Sequence, residues 1–170
     1  MKFIALIGMP GSGKSTIGRA VTQKLNYQFL DSDDAIEQSF GCSIPEIFEQ
    51  YGEEKFREAE RNTILDIINE KSHPFILSTG GGAFMNEDIR ANLLSETTVF
   101  YLQASLDKLW QNIQNSYHNR PLLKFDDPKE RISKLLQERE SIYQQAHEKI
   151  DCNDKELDEI ISTLIERIET

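Results

Sequence analysis

One segment near the start of the chain restricts the possible folds more than any other. Residues 8–15 read GMPGSGKS and match the pattern G-x-x-x-x-G-K-[ST] at every fixed position. A short apolar run, residues 2–7, comes directly before this segment, and a helical pattern begins at about Lys14. This context predicts a loop between a strand and a helix, with backbone amides that surround a phosphate group.

The residue types in this loop suit a nucleoside triphosphate. Glycine has no Cβ, so the backbone can approach a phosphate closely. Lys14 is expected to reach the β- and γ-phosphates as a compact cation, and the Ser15 hydroxyl is expected to bind Mg²⁺. The predicted nucleotide-binding segment consists of Gly11, Ser12, Gly13, Lys14, Ser15 and Thr16.

The rest of the chain alternates short apolar runs with longer segments of helical period. This alternation is typical of an α/β fold with a mostly parallel sheet, and 170 residues suffice for one domain, residues 1–170. The predicted strands are 2–7, 27–30, 75–78, 97–102 and 149–152. The predicted helices are 14–25, 34–40, 44–51, 53–70, 86–95, 105–114, 129–146 and 155–168.

Composition excludes several functional classes. The chain has 19 Lys and Arg against 29 Asp and Glu, a net charge of −10, so it repels polyanions and nucleic acid is not an expected partner. The first apolar run ends at Gly8 and Pro10, and no segment approaches the roughly 20 apolar residues that cross a bilayer. Cys42 and Cys152 form neither a disulfide framework nor a zinc-site spacing. We therefore expect a cytoplasmic protein that does not bind membranes.

Two carboxylates follow the second predicted strand. Asp31 and Asp33 are alternate residues of an extended segment, so both are expected to point into the space beyond the sheet's carboxyl edge, where ligands bind in such folds. One carboxylate can hold a metal-bound water, and the other can deprotonate an acceptor hydroxyl. The alternative is helix capping. Asp34 with Glu37 forms a suitable capping pair, which would leave Asp31 and Asp33 available.

A glycine loop, Gly80, Gly81 and Gly82, follows the predicted strand 75–78. Its bare main chain can meet a substrate directly, or the loop can be a simple turn into a helix. Both interpretations place the loop at the same edge of the sheet as the phosphate loop.

Three arginines are candidate anion-binding residues. Arg139 lies on the inward apolar stripe of helix 129–146, where a guanidinium needs either an anionic ligand or a buried carboxylate. Arg57 lies beside an apolar stripe, and Glu53 four residues earlier favours a surface ion pair slightly. Arg120 belongs to a long loop, 115–128, of the kind that often closes over a site, although a loop arginine is also commonly solvated.

Taken in order, the segments 8–16, 31–33, 56–60, 80–82 and 120–123, together with Arg139 and Tyr143, resemble the shikimate kinase family over residues 3 to about 152. The resemblance implies a three-layer P-loop fold like that of nucleoside monophosphate kinases, with a five-stranded parallel sheet, a substrate-binding helical region at 34–60 and a mobile lid at 115–128. It implies a monomer that transfers the γ-phosphate of ATP to the 3-hydroxyl of shikimate, a step towards chorismate and aromatic amino acids.

The resemblance also implies residue roles. Asp31 would lie near the Mg²⁺ hydration shell, and Asp33 would bind the shikimate hydroxyls and act as the base. Arg57, Arg139 and the Gly81 main chain would hold the acceptor, and Arg120 would close over the phosphates. One departure concerns the adenine site, since Asn112 and Ile113 stand where the family often has an arginine that stacks on adenine.

Two alternatives remain at this stage. The first is a kinase for another small hydroxy-acid, of the gluconate kinase type, which an acceptor assay would distinguish. The second is a noncatalytic nucleotide-binding relative. The joint presence of Lys14, Ser15, Asp33 and Arg120 argues against it. A GTP-dependent switch is disfavoured because the Asn-Lys-x-Asp guanine signature does not occur.

Overall fold

A computed structural model describes residues 2–115 and 120–170 of the chain. The strands are β1 (Phe3–Ile7), β2 (Gln28–Asp31), β3 (Phe75–Ser78), β4 (Thr98–Gln103) and β5 (Glu148–Asp151). The α-helices are α1 (Lys14–Leu25), α2 (Ser32–Phe40), α3 (Ile44–Asn69), α4 (Glu87–Glu96), α5 (Leu106–Ile113), α6 (Pro128–Tyr143) and α7 (Leu157–Glu169). Short 3-10 turns lie at Ala83–Met85 and Pro121–Leu123.

The five strands form one sheet in the order β2-β3-β1-β4-β5, and all its pairs are parallel. Leu6 and Asp31 both pair with Ser78, so β1, β2 and β3 end at the same edge. Beyond that edge, β1 leads into the phosphate loop and β3 into the glycine loop. The connections therefore bring both predicted ligand loops together, at the place where ligands bind in open parallel sheets.

The predicted fold class is confirmed, and each predicted strand lies within one residue of an observed strand. Three helix boundaries differ by more than one residue. One is the start of α7, at Leu157 rather than 155, with Glu156 as the N-cap. Helix α2 begins at Ser32 rather than 34, because Asp31 caps it. Helix α6 ends at Tyr143 rather than 146, because the following amides of Gln145 and Ala146 bond three residues back in a tightened turn.

Helix α3 is interrupted at Gly52. This position is the gap between the two helices, 44–51 and 53–70, that the sequence predicts. Gly52 has φ +81°, a left-handed conformation that only glycine adopts without strain. The chain changes direction there and continues as one kinked helix. The second half of α3 carries Arg57 and Glu60 towards the carboxyl edge of the sheet.

The apolar core has a large part and a small part. The large part surrounds the sheet, where α1 packs beside α7 and α3 packs beside α4. The small part is centred on Ile36, Ile47 and Phe56, and it joins α2 to α3. The region 34–60 thus has its own apolar anchor next to the site. Among the described residues, no helix is both long and apolar enough to span a membrane.

Candidate active site

Two neighbouring cavities open at the carboxyl edge of the sheet. The first has a volume of about 530 Å³ and is lined by the phosphate loop, and the second has a volume of about 250 Å³ and is lined by α2, α3 and α6. Pro10, Asp33, Gly80, Gly81 and Arg120 line both cavities. A ligand in one cavity would therefore share its wall with a ligand in the other.

The phosphate loop has the geometry that its glycines permit. Gly11 and Gly13 adopt φ values of +85° and +89°, and Gly13 is the N-cap of α1. The Lys14 ammonium is buried and donates to the carbonyl oxygens of Gly8 at 2.8 Å and Met9 at 2.9 Å. Burial, together with the charge of Arg120, lowers the pKa of Lys14 to about 8. The helix N-terminus and this ammonium make the first cavity attractive to phosphate.

A cluster of oxygen atoms lies at the start of α1. The Ser15 hydroxyl donates to Asp31 Oδ2 at 2.6 Å and lies 3.1 Å from the Ser78 hydroxyl. Mg²⁺ prefers such oxygen donors and is usually held by one or two carboxylates together with phosphates and water. The described part of the chain has no group of three or more His, Cys, Asp or Glu that could bind a metal. The donor set thus fits a magnesium ion that arrives with a nucleotide.

Asp31 caps α2. The sequence instead predicts that Asp34 is the cap and that Asp31 and Asp33 alternate along a strand, and both predictions are wrong. Asp31 Oδ1 accepts from the amides of Asp33 at 3.0 Å and Asp34 at 3.4 Å, so Asp31 rather than Asp34 is the cap. Asp34 instead forms an exposed ion pair with Arg19 at 3.0 Å. Asp33 lies in the first turn of α2, so strand alternation does not explain its direction. The two carboxylates are nevertheless neighbours, because the turn of the capped helix brings Asp33 back towards Asp31.

The Asp33 carboxylate lies at the boundary of the two cavities. Its Oδ1 is buried and has no hydrogen-bond partner among the described residues. Burial is the main cause that raises its pKa to about 7, and the charges of Asp31 and Glu60 raise it further. A carboxyl group with a pKa near 7 is well suited to accept a proton at physiological pH.

The glycine loop, residues 80–82, has no room for side chains, because Glu60, Pro10 and Arg57 occupy the space that they would need. A Cβ on Gly80 would lie 2.9 Å from Glu60 Oε2, and one on Gly81 would lie 2.7 Å from Pro10 Cδ. A Cβ on Gly82 would lie 2.8 Å from Arg57 Nη1. The Gly80 amide donates to Ser32 Oγ at 3.2 Å, so in this structure it is bonded within the protein. Close packing thus explains the run of three glycines.

Arg57 is held from two sides by carboxylates of its own helix. Its Nη1 donates to Glu60 Oε1 at 2.7 Å, and its Nε lies 3.5 Å from Glu53 Oε1. The side chain of Glu60 is only 2% exposed, whereas that of Glu53 is 56% exposed. The predicted pair with Glu53 exists, but the buried carboxylate of Glu60 is the closer partner. It turns the guanidinium into the second cavity.

Arg139 lies on the buried face of α6, as the apolar stripe predicts, and is 7% exposed. It lines the second cavity together with Arg57. The buried carboxylate of Glu60 lies close to both guanidinium groups and is a partner of opposite charge within the protein. The two guanidinium groups also offer donors to an anionic ligand in this cavity.

Arg120 lies on the walls of both cavities, directly before the 3-10 turn Pro121–Leu123. The turn is closed by the Leu123 amide, which donates to the Arg120 carbonyl at 2.9 Å. Burial lowers the pKa of Arg120, and Asp33 opposes this effect. Part of the predicted lid, residues 116–119, lies outside the described residues.

The far end of the first cavity is lined by α5 and the loop before α7. Asn112 Nδ2 donates to the Gly11 carbonyl at 2.8 Å. Ile113 is 1% exposed and packs against Gly11, where a Cβ would overlap the Cγ2 atom of Ile113. Both residues that stand in place of an arginine therefore support the phosphate loop.

Comparison with known proteins identifies the family. A family model described as shikimate kinase matches residues 10–169. The chain belongs to the shikimate kinase family. Members of this family are ATP-dependent kinases. The match does not support the alternative of a gluconate-type kinase.

Individual relatives agree over nearly the whole chain. A shikimate kinase from Bradyrhizobium diazoefficiens is 39% identical over 165 residues, which cover 97% of this chain and 78% of that protein. One from Caldanaerobacter subterraneus subsp. tengcongensis is 37% identical and covers 97% of this chain and 95% of that protein. The solved structure of shikimate kinase from Acinetobacter baumannii in complex with shikimate has a TM-score of 0.93 at 32% identity, covering 99% and 93% of the two chains.

Sequence reasoning missed three residues of the site. Glu60 lies in a segment of the family pattern, and its spacing of three from Arg57 is the signal for a helical ion pair that could have identified it. Ser78 was counted only as the end of a strand, and its pairing with Asp31 becomes visible only in the sheet. Tyr143 belongs to the family pattern, but its spacing from Arg139 gives no indication of a contact with the glycine loop.

Proposed function

We propose that the two joined cavities perform the reaction of the shikimate kinase family, with ATP in the first cavity and shikimate in the second. The γ-phosphate passes to the 3-hydroxyl and yields shikimate 3-phosphate and ADP, a step of aromatic amino acid biosynthesis. The observation that carries this assignment is the position of Asp33, whose unpaired buried oxygen lies on the wall common to both cavities.

On the nucleotide side, the amides of Gly11, Ser12 and Gly13 surround the phosphates, and Thr16 continues the binding segment into α1. The Lys14 ammonium leaves the loop carbonyls and pairs with the β- and γ-phosphates, which restores its proton affinity. Ser15 and Asp31 hold the magnesium ion. When bound, Mg²⁺ neutralises charge that develops on the transferred phosphoryl group.

On the acceptor side, Arg57 and Arg139 bind the carboxylate of shikimate. Arginine presents two parallel donors to a carboxylate, and burial in the second cavity strengthens both bonds. Gly80, Gly81 and Gly82 let the ring approach the backbone, with Gly81 as the main-chain contact. The region 34–60 forms the outer wall of this cavity.

Asp33 accepts the proton of the 3-hydroxyl as that oxygen attacks phosphorus. The new bond joins the 3-oxygen to the γ-phosphorus, the bond from this phosphorus to the β,γ-bridging oxygen breaks, and ADP leaves with the electron pair. Phosphoryl transfer mainly needs alignment and positive charge. Lys14 and Arg120 supply the charge, and residues 115–128 act as a lid that excludes water.

A coupled ADP-release assay with ATP and Mg²⁺ tests the function. We expect turnover with shikimate and negligible turnover with gluconate or without acceptor. Activity on gluconate alone would favour the gluconate-type kinase, and nucleotide binding without any turnover would favour a noncatalytic protein.

We also propose that the enzyme works as a monomer in the cytoplasm. The monomer is what the resemblance to the shikimate kinase family implies. Cys42 and Cys152 are both free thiols, which suits a reducing compartment. Size-exclusion chromatography with light scattering tests the monomer, and a mass near 40 kDa would contradict it, since one chain has 19.6 kDa.

A further inference from the structure

The hydroxyl of Tyr143 lies where three parts of the site meet. It donates to the Gly81 carbonyl of the glycine loop at 2.5 Å and lies 3.9 Å from Met9 Sδ in the phosphate loop. The Arg139 guanidinium, one turn earlier on α6, is close enough for its charge to act on this hydroxyl. One buried phenol thus contacts the nucleotide side, the acceptor loop and an acceptor arginine.

The two loops joined by this hydroxyl are in direct contact. Gly81 packs against Pro10, where a Cβ would lie 2.7 Å from Pro10 Cδ. This contact is apolar, and van der Waals packing has little directionality. The hydrogen bond from Tyr143 of α6 to the Gly81 carbonyl is directional, so it fixes the orientation of the glycine loop against the phosphate loop.

The ring of Tyr143 is itself held firmly. It is fully buried and stacks on Tyr101 of β4, with ring centroids 5.0 Å apart and an interplanar angle of 23°. The Tyr101 hydroxyl donates to Glu140 Oε2 at 2.6 Å, and Gln103 Nε2 donates to Glu140 Oε1 at 3.0 Å. Helix α6 is thereby fastened to strand β4 beside Tyr143.

Burial raises the pKa of Tyr143 to about 12, although the nearby Arg139 charge acts in the opposite direction. The phenol therefore keeps its proton throughout the working pH range. It acts as a constant donor to Gly81 and keeps an uncharged oxygen beside Arg139.

We propose that Tyr143 is a positioning residue, which fixes the Arg139 guanidinium and the Gly81 backbone relative to the phosphate loop. The proposal rests on the acceptor-binding role proposed for Arg139. Transfer requires the attacking oxygen to stand about 3–3.5 Å from phosphorus, and a misplacement of about 1 Å can cost about 10²-fold in rate. Tyr143 does not contact the reacting atoms itself. It influences the distance between the attacking oxygen and phosphorus through Arg139 and Gly81.

The test replaces the hydroxyl and keeps the ring. We expect Tyr143→Phe to lower kcat/KM for shikimate by about tenfold, since the loss of one hydrogen bond to a charged group has about this effect. Its affinity for ATP, measured by a fluorescent analogue, should change less than twofold. Tyr51→Phe is the control, because it removes the hydroxyl of an exposed tyrosine that lines neither cavity and should leave the acceptor constants unchanged.

A double-mutant cycle separates positioning from a structural effect. In an Arg139→Ala background, Tyr143→Phe should have only a small further effect on kcat/KM, because the guanidinium it orients is gone. A full tenfold effect in that background, or wild-type acceptor constants for Tyr143→Phe with only a lower Tm, would overturn the proposal. Failure of the wild-type protein to phosphorylate shikimate would instead refute the proposed function.

Discussion

Asp33 faces the backbone of Gly80 so closely that a Cβ on Gly80 would lie 3.0 Å from Asp33 Oδ1. This contact keeps water away from one carboxylate oxygen and leaves it without a hydrogen-bond partner among the described residues. The raised pKa of Asp33 follows mainly from this burial. A carboxylate that is costly for the fold and lies between two cavities is typical of a group retained for catalysis.

Asp33→Asn should abolish most of the turnover. The amide cannot take a proton from the acceptor, so kcat should fall by about 10²-fold or more, while ATP affinity stays within about twofold. The coupled ADP-release assay and a nucleotide titration measure the two quantities. Asp34→Asn is the control, since Asp34 is the next residue but pairs with Arg19 at the surface. Turnover of Asp33→Asn near the wild-type value would remove Asp33 as the base.

The rate should depend on pH through two groups of the free enzyme. Protonated Asp33 cannot act as a base, so kcat/KM should fall as pH decreases below about 7. Lys14 must carry its charge when ATP binds to the free enzyme, so kcat/KM for ATP should also fall as pH rises above about 8. A profile measured from pH 5.5 to 9.5 checks both limbs. A flat acid limb for the wild-type enzyme would be inconsistent with this role of Asp33.

Stability should improve when Asp33 loses its charge. The folded-state pKa is raised from 3.8 to about 7, so the folded protein binds the proton more tightly than the unfolded chain. The free energy of unfolding therefore decreases as pH rises through this range, and the loss is complete above it. At pH 8, Asp33→Asn should be more stable by about 2 kcal/mol, or about 5 °C in Tm.

Thermal scans at pH 8 and pH 4.5 check this expectation. The gain should be much smaller at pH 4.5, where the native Asp33 is already neutral, and it should vanish only below the unfolded pKa of 3.8. A variant that is less stable than the wild type at both pH values would show that Asp33 stabilises the fold.

Arg139→Ala should weaken acceptor binding. Loss of a charge-assisted contact to the shikimate carboxylate should raise KM for shikimate by roughly tenfold to hundredfold, with a small effect on KM for ATP. Steady-state kinetics with each substrate varied gives both constants. Lys134→Ala on the same helix is the control, because Lys134 forms an exposed pair with Glu130. An unchanged KM for shikimate would contradict the assignment.

Asn112→Ala should affect the nucleotide side alone. Its side chain supports the phosphate loop through the Gly11 carbonyl, so its loss should raise KM for ATP by about threefold and leave KM for shikimate unchanged. Asn92→Ala on α4 removes a comparable side-chain bond to Asp88 far from the site and serves as the control. Equal effects of the two variants on KM for ATP would exclude a specific role for Asn112.

Local sequence was enough to predict the α/β class, the strand positions and the loops that carry the site. The reason is that hydrophobic period and glycine-rich turns act over a few residues. The pattern around Lys14 needs only a strand before it and a helix after it. Arg139 was placed on a buried face by the same periodicity, and the structure agrees.

Contacts between distant parts of the chain were not accessible in this way. Asp31 serves two partners, the N-terminus of α2 and Ser15, because strand pairing brings β2 and the start of α1 to one edge. The closeness of Asp33 to Gly80 and of Tyr143 to Gly81 likewise joins residues 47 and 62 positions apart. The sequence alone thus determined which chemical groups the site contains and in which strand, loop or helix each of them lies. Only the tertiary structure decided their partners, burial and proton affinities, because these depend on distances between elements that no local pattern encodes.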